Sequence, residues 1–131
     1  MKKIVFLVLL AFAFACKKEA RVADNKIKED VYFLADDKLE GRQTGTEGER
    51  KASEYLVKRF KEIGLEPKGT EGFLQSFSFK PKTDPHKEVE FTTNADSTIT
   101  GNNVIGYINN NAETTIVIGA HYDHLGYGGE G

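Results

Sequence analysis

Thr115-Ile-Val-Ile-Gly-Ala120, running into His121-Tyr-Asp-His124-Leu-Gly-Tyr-Gly-Gly-Glu-Gly131, is the stretch that decides the reading of this chain. The first part is a β-branched apolar run, entered from the polar turn Asn109-Asn-Asn-Ala-Glu113. The run, Thr114 to Ala120, is apolar at odd and even positions alike. That predicts a strand covered on both faces, as in a parallel sheet between layers of helices. Ligands of open α/β sheets lie beyond the carboxyl ends of the strands, and His121 stands at that end. Residues two apart in extended backbone share a face, so His121 and Asp123 project together and Tyr122 projects oppositely. The Asp123 carboxylate can then approach the imidazole nitrogen that faces away from a metal. That contact would fix the tautomer and make the other nitrogen a better ligand. Gly126, Gly128 and Gly129 would let the loop come close to a cofactor. A strand-end histidine bonded only to main chain is the alternative, and His-x-Asp alone does not separate the two.

Working outward, four earlier segments have readable periodicity. Ile27, Val31, Leu34 and Ala35 form an apolar stripe that predicts a helix from Lys26 to about Asp36. Leu39 to Gly48 reads as a loop rich in glycine and threonine. Its glycines have neither nucleotide-binding spacing, so it reads as a turn and helix cap. A second helix is expected over about Glu47 to Ile63, with Ala52, Tyr55, Leu56, Phe60 and Ile63 buried and Gly64 ending it. Both Thr46/Glu49 and Thr44/Glu47 have capping-box spacing, which leaves the start open by a turn. Phe73–Phe79, Glu88–Thr93 and Asn102–Ile108 read as strands, the first of them clearly alternating. The early strands read as antiparallel and half exposed.

At 131 residues the chain has the length of one ordinary domain, with 39% hydrophobic and 29% charged residues. A formal charge of −2, without a basic stripe, argues against nucleic acid as a partner. Residues 1–15 read as an export signal: Lys2 and Lys3 precede an apolar run of 12 residues, Ile4 to Ala15. That run is shorter than the roughly 20 residues a membrane span needs. Removing it takes two lysines and no acid, leaving 16 basic groups against 20 acidic, a net −4. Cys16 is the only cysteine, which excludes an intrachain disulfide. Ala13-Phe-Ala-Cys16 resembles a loose bacterial lipobox, predicting lipidation of Cys16 and a membrane anchor, with residues 16–25 as a polar tether. Ordinary cleavage after Ala15 fits the same residues. The expected localisation is the bacterial cell envelope. Oligomeric state is not legible.

Among the remaining histidines, His86 reads as solvated in a proline-rich turn and His124 as a loop residue. A complete zinc site made from His86, His121, Asp123 and His124 has no geometric support.

Leu34-Ala-Asp-Asp-Lys-Leu-Glu-Gly-Arg42, Gly45-Thr-x-Gly48, Ile63-Gly-Leu65, Asn102-Asn-Val-Ile-Gly106 and Gly119-Ala-His-Tyr-Asp-His-Leu-Gly126 occur in this order. Together they resemble the N-terminal part of the bacterial di-zinc aminopeptidases, the leucyl-aminopeptidase, glutaminyl-cyclase and transferrin-receptor-like family. The resemblance covers residues 26–131. It implies an α/β fold, a mixed, mainly parallel sheet sandwiched by helices, incomplete in this chain. It implies an exported zinc metallo-aminopeptidase that hydrolyses N-terminal residues of peptides with two zinc ions. His121 would be a ligand of one zinc and Asp123 the residue that orients it. The remaining ligands and the general base would lie beyond Gly131, and the 131-residue chain alone would be inactive. Arg42 and Gly45–Gly48 match the family and are read as structural. A glutaminyl-cyclase-like acyltransferase, a metal-free peptidase-like binding module and an unrelated ligand-binding lipoprotein are the alternative functions.

Overall fold

In this computed structural model, residues 18–81, 86, 90, 91 and 98–128 are described. The expected export signal and Cys16 lie outside them. The chain divides into two units, residues 1–36 and 37–131.

In the first unit, helix α1 spans Lys18–Leu34. It starts within the stretch expected to be a tether and ends about two residues before Asp36. Its expected apolar stripe is exposed at Ile27 and Val31, as is Tyr32. Lys26 pairs with Glu29 at 2.9 Å, and Lys28 lies 5.6 Å from the centre of the Tyr32 ring.

The second unit is built on helix α2, Glu47–Glu62. Thr46 is its N-cap: the hydroxyl accepts from the Glu49 amide at 3.4 Å and donates to the Gln43 carbonyl at 2.6 Å. This settles the capping ambiguity in favour of Thr46/Glu49. Ile63 is the C-cap and Gly64 (φ 80°) turns the chain, at the expected place. Exposed ion pairs of Arg50 with Glu47 and Glu54 run along the helix and add little each.

A kinked 3₁₀ turn spans Asp37–Arg42, where Leu39 onward is expected to be loop. Three successive residues in it are left-handed: Glu40 (φ 51°), Gly41 (φ 65°) and Arg42 (φ 49°). The turn packs on the first turn of α2 at Gly48, where an added Cβ would lie 1.8 Å from the Leu39 carbonyl oxygen.

The strands are β1 (Glu66–Pro67), β2 (Leu74–Lys80), β3 (Glu90–Phe91), β4 (Ile99–Val104) and β5 (Gly106–Tyr107). β2 is flanked by β3 and β4 in a three-stranded sheet, and β1 pairs with β5. Every pairing is antiparallel. The fold is therefore mixed α and β. The mainly parallel sheet expected from the sequence is not formed by the described residues. The early strands pair antiparallel, as their alternation indicated. In the β2–β4 register Phe77 faces Gly101. Beside that pair, the Ser76 hydroxyl donates to Asn102 Oδ1 at 2.7 Å, and the Ser78 and Thr100 hydroxyls lie 2.9 Å apart. The expected strand Asn102–Ile108 is divided at Ile105, between β4 and β5: the Ile105 amide continues the ladder to the Phe73 carbonyl at 2.7 Å, while its carbonyl accepts from the Lys68 amide, next to β1, at 3.2 Å.

The core is small. Among the described residues Leu39, Ala52 and Phe73 are the buried apolar ones, and Phe60 meets Phe73 edge to face with ring centres 6.1 Å apart. Tyr55, Leu56 and Phe60 are half-buried, and Ile63 is exposed.

The largest departure concerns Thr114–Ala120. No strand forms there, and Ile116, Val117 and Ile118 are 87%, 87% and 92% exposed. Apolar composition makes a segment able to be a strand. A ladder also needs a neighbouring edge to take its amides and carbonyls, and none of the described strands pairs with this run.

Candidate functional site

Although the run before it is unpaired, the loop Tyr122–Gly126 is held firmly against the 3₁₀ turn. The His124 amide donates to the Arg42 carbonyl at 3.0 Å, and the Gly126 amide to the Gly41 carbonyl at 3.1 Å. Arg42 Nε donates to the Tyr122 carbonyl at 2.7 Å. The left-handed run at residues 40–42 is what aims the two carbonyls outward. A left-handed non-glycine residue costs about 1–2 kcal/mol, so Glu40 and Arg42 hold this geometry against a local preference. Gly41 is required by contact as well: a Cβ there would sit 2.2 Å from the Gly126 carbonyl oxygen.

Tyr122 projects to the opposite side from His121 and enters the interior. Its phenol lies 2.6 Å from Glu49 Oε1 and also against the Asn102 carbonyl oxygen, so one hydrogen serves two acceptors. Glu49 is 2% exposed. It accepts from the Asn102 amide at 3.1 Å, and its other oxygen from the Gly45 amide at 3.2 Å. β4 is an edge strand. Both main-chain groups of Asn102 that point away from β2 are therefore taken up by side chains, one from α2 and one from the loop. A buried carboxylate with three donors has replaced the water it lost. Burial, and then the hydrogen bond and charge of Glu49, push the Tyr122 phenol above its ordinary value of 10.0, with a hydrogen bond to Ser53 opposing.

On the solvent side, His121 is 82% exposed. Its Nδ1 lies 3.0 Å from the Asp123 main-chain oxygen and 3.4 Å from Asp123 Oδ1. Both neighbours are acceptors, a geometry that favours the neutral tautomer with its hydrogen on Nδ1 and its lone pair on Nε2. The expected carboxylate contact is present, but the shorter partner is the main-chain oxygen. The other Asp123 oxygen accepts from the Thr44 hydroxyl at 2.8 Å.

An imidazole with Nδ1 engaged by an acceptor and Nε2 open has the form of a metal-ligating histidine. A zinc site takes about four ligands. Among the described residues no three His, Cys, Asp or Glu side chains gather to hold a metal. What is present therefore fits one ligand with its orienting group. His124 and His86 are exposed and do not join it.

Glu49, Thr44, Arg42 and Tyr122 were not singled out as site residues from the sequence. In sequence Glu49 and Thr44 read only as members of alternative capping boxes, and Arg42 as structural. The signal was the order of the motifs: Leu39–Arg42, Gly45–Gly48, Asn102–Asn103 and His121–Gly126 are separate in sequence and adjacent here.

Comparison with models of known protein families, with curated proteins and with solved structures finds no match. Among the described residues, no helix is long and apolar enough to cross a membrane.

Proposed function

We propose that this chain is the N-terminal part of an exported zinc-dependent aminopeptidase, anchored to the cell envelope through a lipid on Cys16, with His121 as a ligand of one of two zinc ions. The observation that supports the reading is the assembly around His121. Segments carrying the family resemblance pack together, and the ring is left with an engaged Nδ1 and an open Nε2. The mainly parallel, helix-covered sheet of such enzymes belongs to the same proposal. Zinc, when bound, supplies Lewis acidity for hydrolysis of a peptide bond. The part this chain plays is to present His121 Nε2 and to hold the ring through Asp123. The other ligands and the general base come, in this reading, from sequence beyond Gly131.

The test is made on the intact polypeptide that contains this segment. Zinc-dependent release of amine from aminoacyl anilides, abolished by His121→Ala, is the expected result. Unchanged activity in His121→Ala, or release only of cyclised product from glutaminyl peptides, would overturn the aminopeptidase reading.

A further inference from the structure

We propose that the turn Gly41–Thr44 is a positioning clamp for His121, acting through the Asp123 peptide and carboxylate; as a statement about a metal ligand, this rests on the function proposed above. The key bond is His124 N–H to the Arg42 carbonyl. That amide belongs to the peptide unit whose carbonyl oxygen is Asp123 O. A trans peptide is planar, with its N–H and C=O pointing in opposite directions. Fixing the His124 N–H on the 3₁₀ turn therefore turns the Asp123 carbonyl the other way, onto His121 Nδ1. The Gly126-to-Gly41 bond holds the loop two residues further on. Thr44 then fixes the side chain. By donating to Asp123 Oδ2 it stops carboxylate rotation and keeps Oδ1 on the ring side. The clamp thus supplies two acceptors to Nδ1 and none to Nε2, which selects the tautomer that a cation requires. Arg42 bonds the Tyr122 carbonyl, so the peptide unit before Asp123 is held as well. Neither Thr44 nor Gly41 touches the imidazole, so both are positioning residues.

The experiment reads the tautomer directly. Long-range proton–nitrogen correlation spectra are recorded on the ¹⁵N-labelled 131-residue chain at pH 8, without metal. Wild type is expected to show a protonated Nδ1 and a bare Nε2 at His121. Thr44→Val, which frees the carboxylate but leaves the main-chain acceptor, is expected to reduce the share of that form, while Thr44→Ser keeps it. Gly41→Ala is expected to reduce it too, because the new Cβ displaces Gly126. His86 serves as the internal control and stays constant. The proposal is overturned by a wild-type His121 that carries its hydrogen on Nε2, or by Thr44→Val leaving the wild-type proportion of tautomers unchanged. It is overturned equally if Thr44→Ser fails to retain it. Should Gly41→Ala unfold, the Thr44 pair decides alone. The measurement uses neither zinc nor substrate. Failure of the anilide assay therefore sinks the enzyme reading and leaves the clamp standing, and an unmoved tautomer does the reverse.

Discussion

Glu49→Ala should be the most damaging polar substitution in the second unit, and its cost can be worked from the contacts. The carboxylate accepts from Gly45 N, Asn102 N and the Tyr122 phenol. Gly45 is exposed, so its amide regains water and contributes little. The Asn102 amide is half-buried on the edge of β4 and is left without a partner, at about 1–3 kcal/mol. The phenol keeps the Asn102 carbonyl but loses a charged acceptor, worth roughly 1.5 kcal/mol. The total is about 3 kcal/mol, a large share of the ~5–15 kcal/mol that stabilises an ordinary domain. Glu49→Gln keeps the shape. Its carbonyl can serve Asn102 and Tyr122, but its amide then faces the Gly45 N–H, donor against donor, for about 1 kcal/mol. Urea unfolding followed by circular dichroism measures both, with the denaturant slope held common to the series. A double-mutant cycle with Tyr122→Phe should give a coupling of about 1–2 kcal/mol. A loss below about 0.5 kcal/mol for Glu49→Ala, or a coupling near zero, would refute the claim that Glu49 ties the loop to β4.

Three further outcomes follow from the same contacts. The Tyr122 phenol is raised above 10.0, so the folded state holds that proton more tightly than the unfolded chain does. Its stabilisation is complete below pH 10 and is lost as pH climbs further, so Tyr122→Phe should flatten the alkaline limb of a stability–pH curve. Gly48→Ala, which puts a Cβ 1.8 Å from the Leu39 carbonyl, should lower the melting temperature although alanine favours helix; a rise would show that the turn gives way freely. Ile118 is 92% exposed within an unpaired apolar run, so Ile118→Lys should slow concentration-dependent aggregation and leave melting unchanged.

Local features were legible in the sequence because they depend on neighbours a few residues away. The α2 stop at Gly64, the β2 alternation and the adjacency of His121 to Asp123 are all of this kind, and the α2 start was legible to within a turn. Thr114–Ala120 was misread because the sequence records only its apolarity, whereas pairing is a property of two segments. The site was legible at His121 and Asp123 and invisible at Glu49, Thr44 and Arg42. Their partners lie 79 or 80 positions away for Thr44 and Arg42, and 73 for Glu49 to Tyr122.

By itself, then, the sequence determined the second helix and its stop at Gly64, the alternation of β2 and the nearness of an imidazole to a carboxylate. Only the tertiary structure decided which turn carries that pair and which nitrogen of the ring is left open. The physical reason is that the peptide unit aimed at the ring is held by its N–H on the Arg42 carbonyl, which is remote in sequence and close only in the fold.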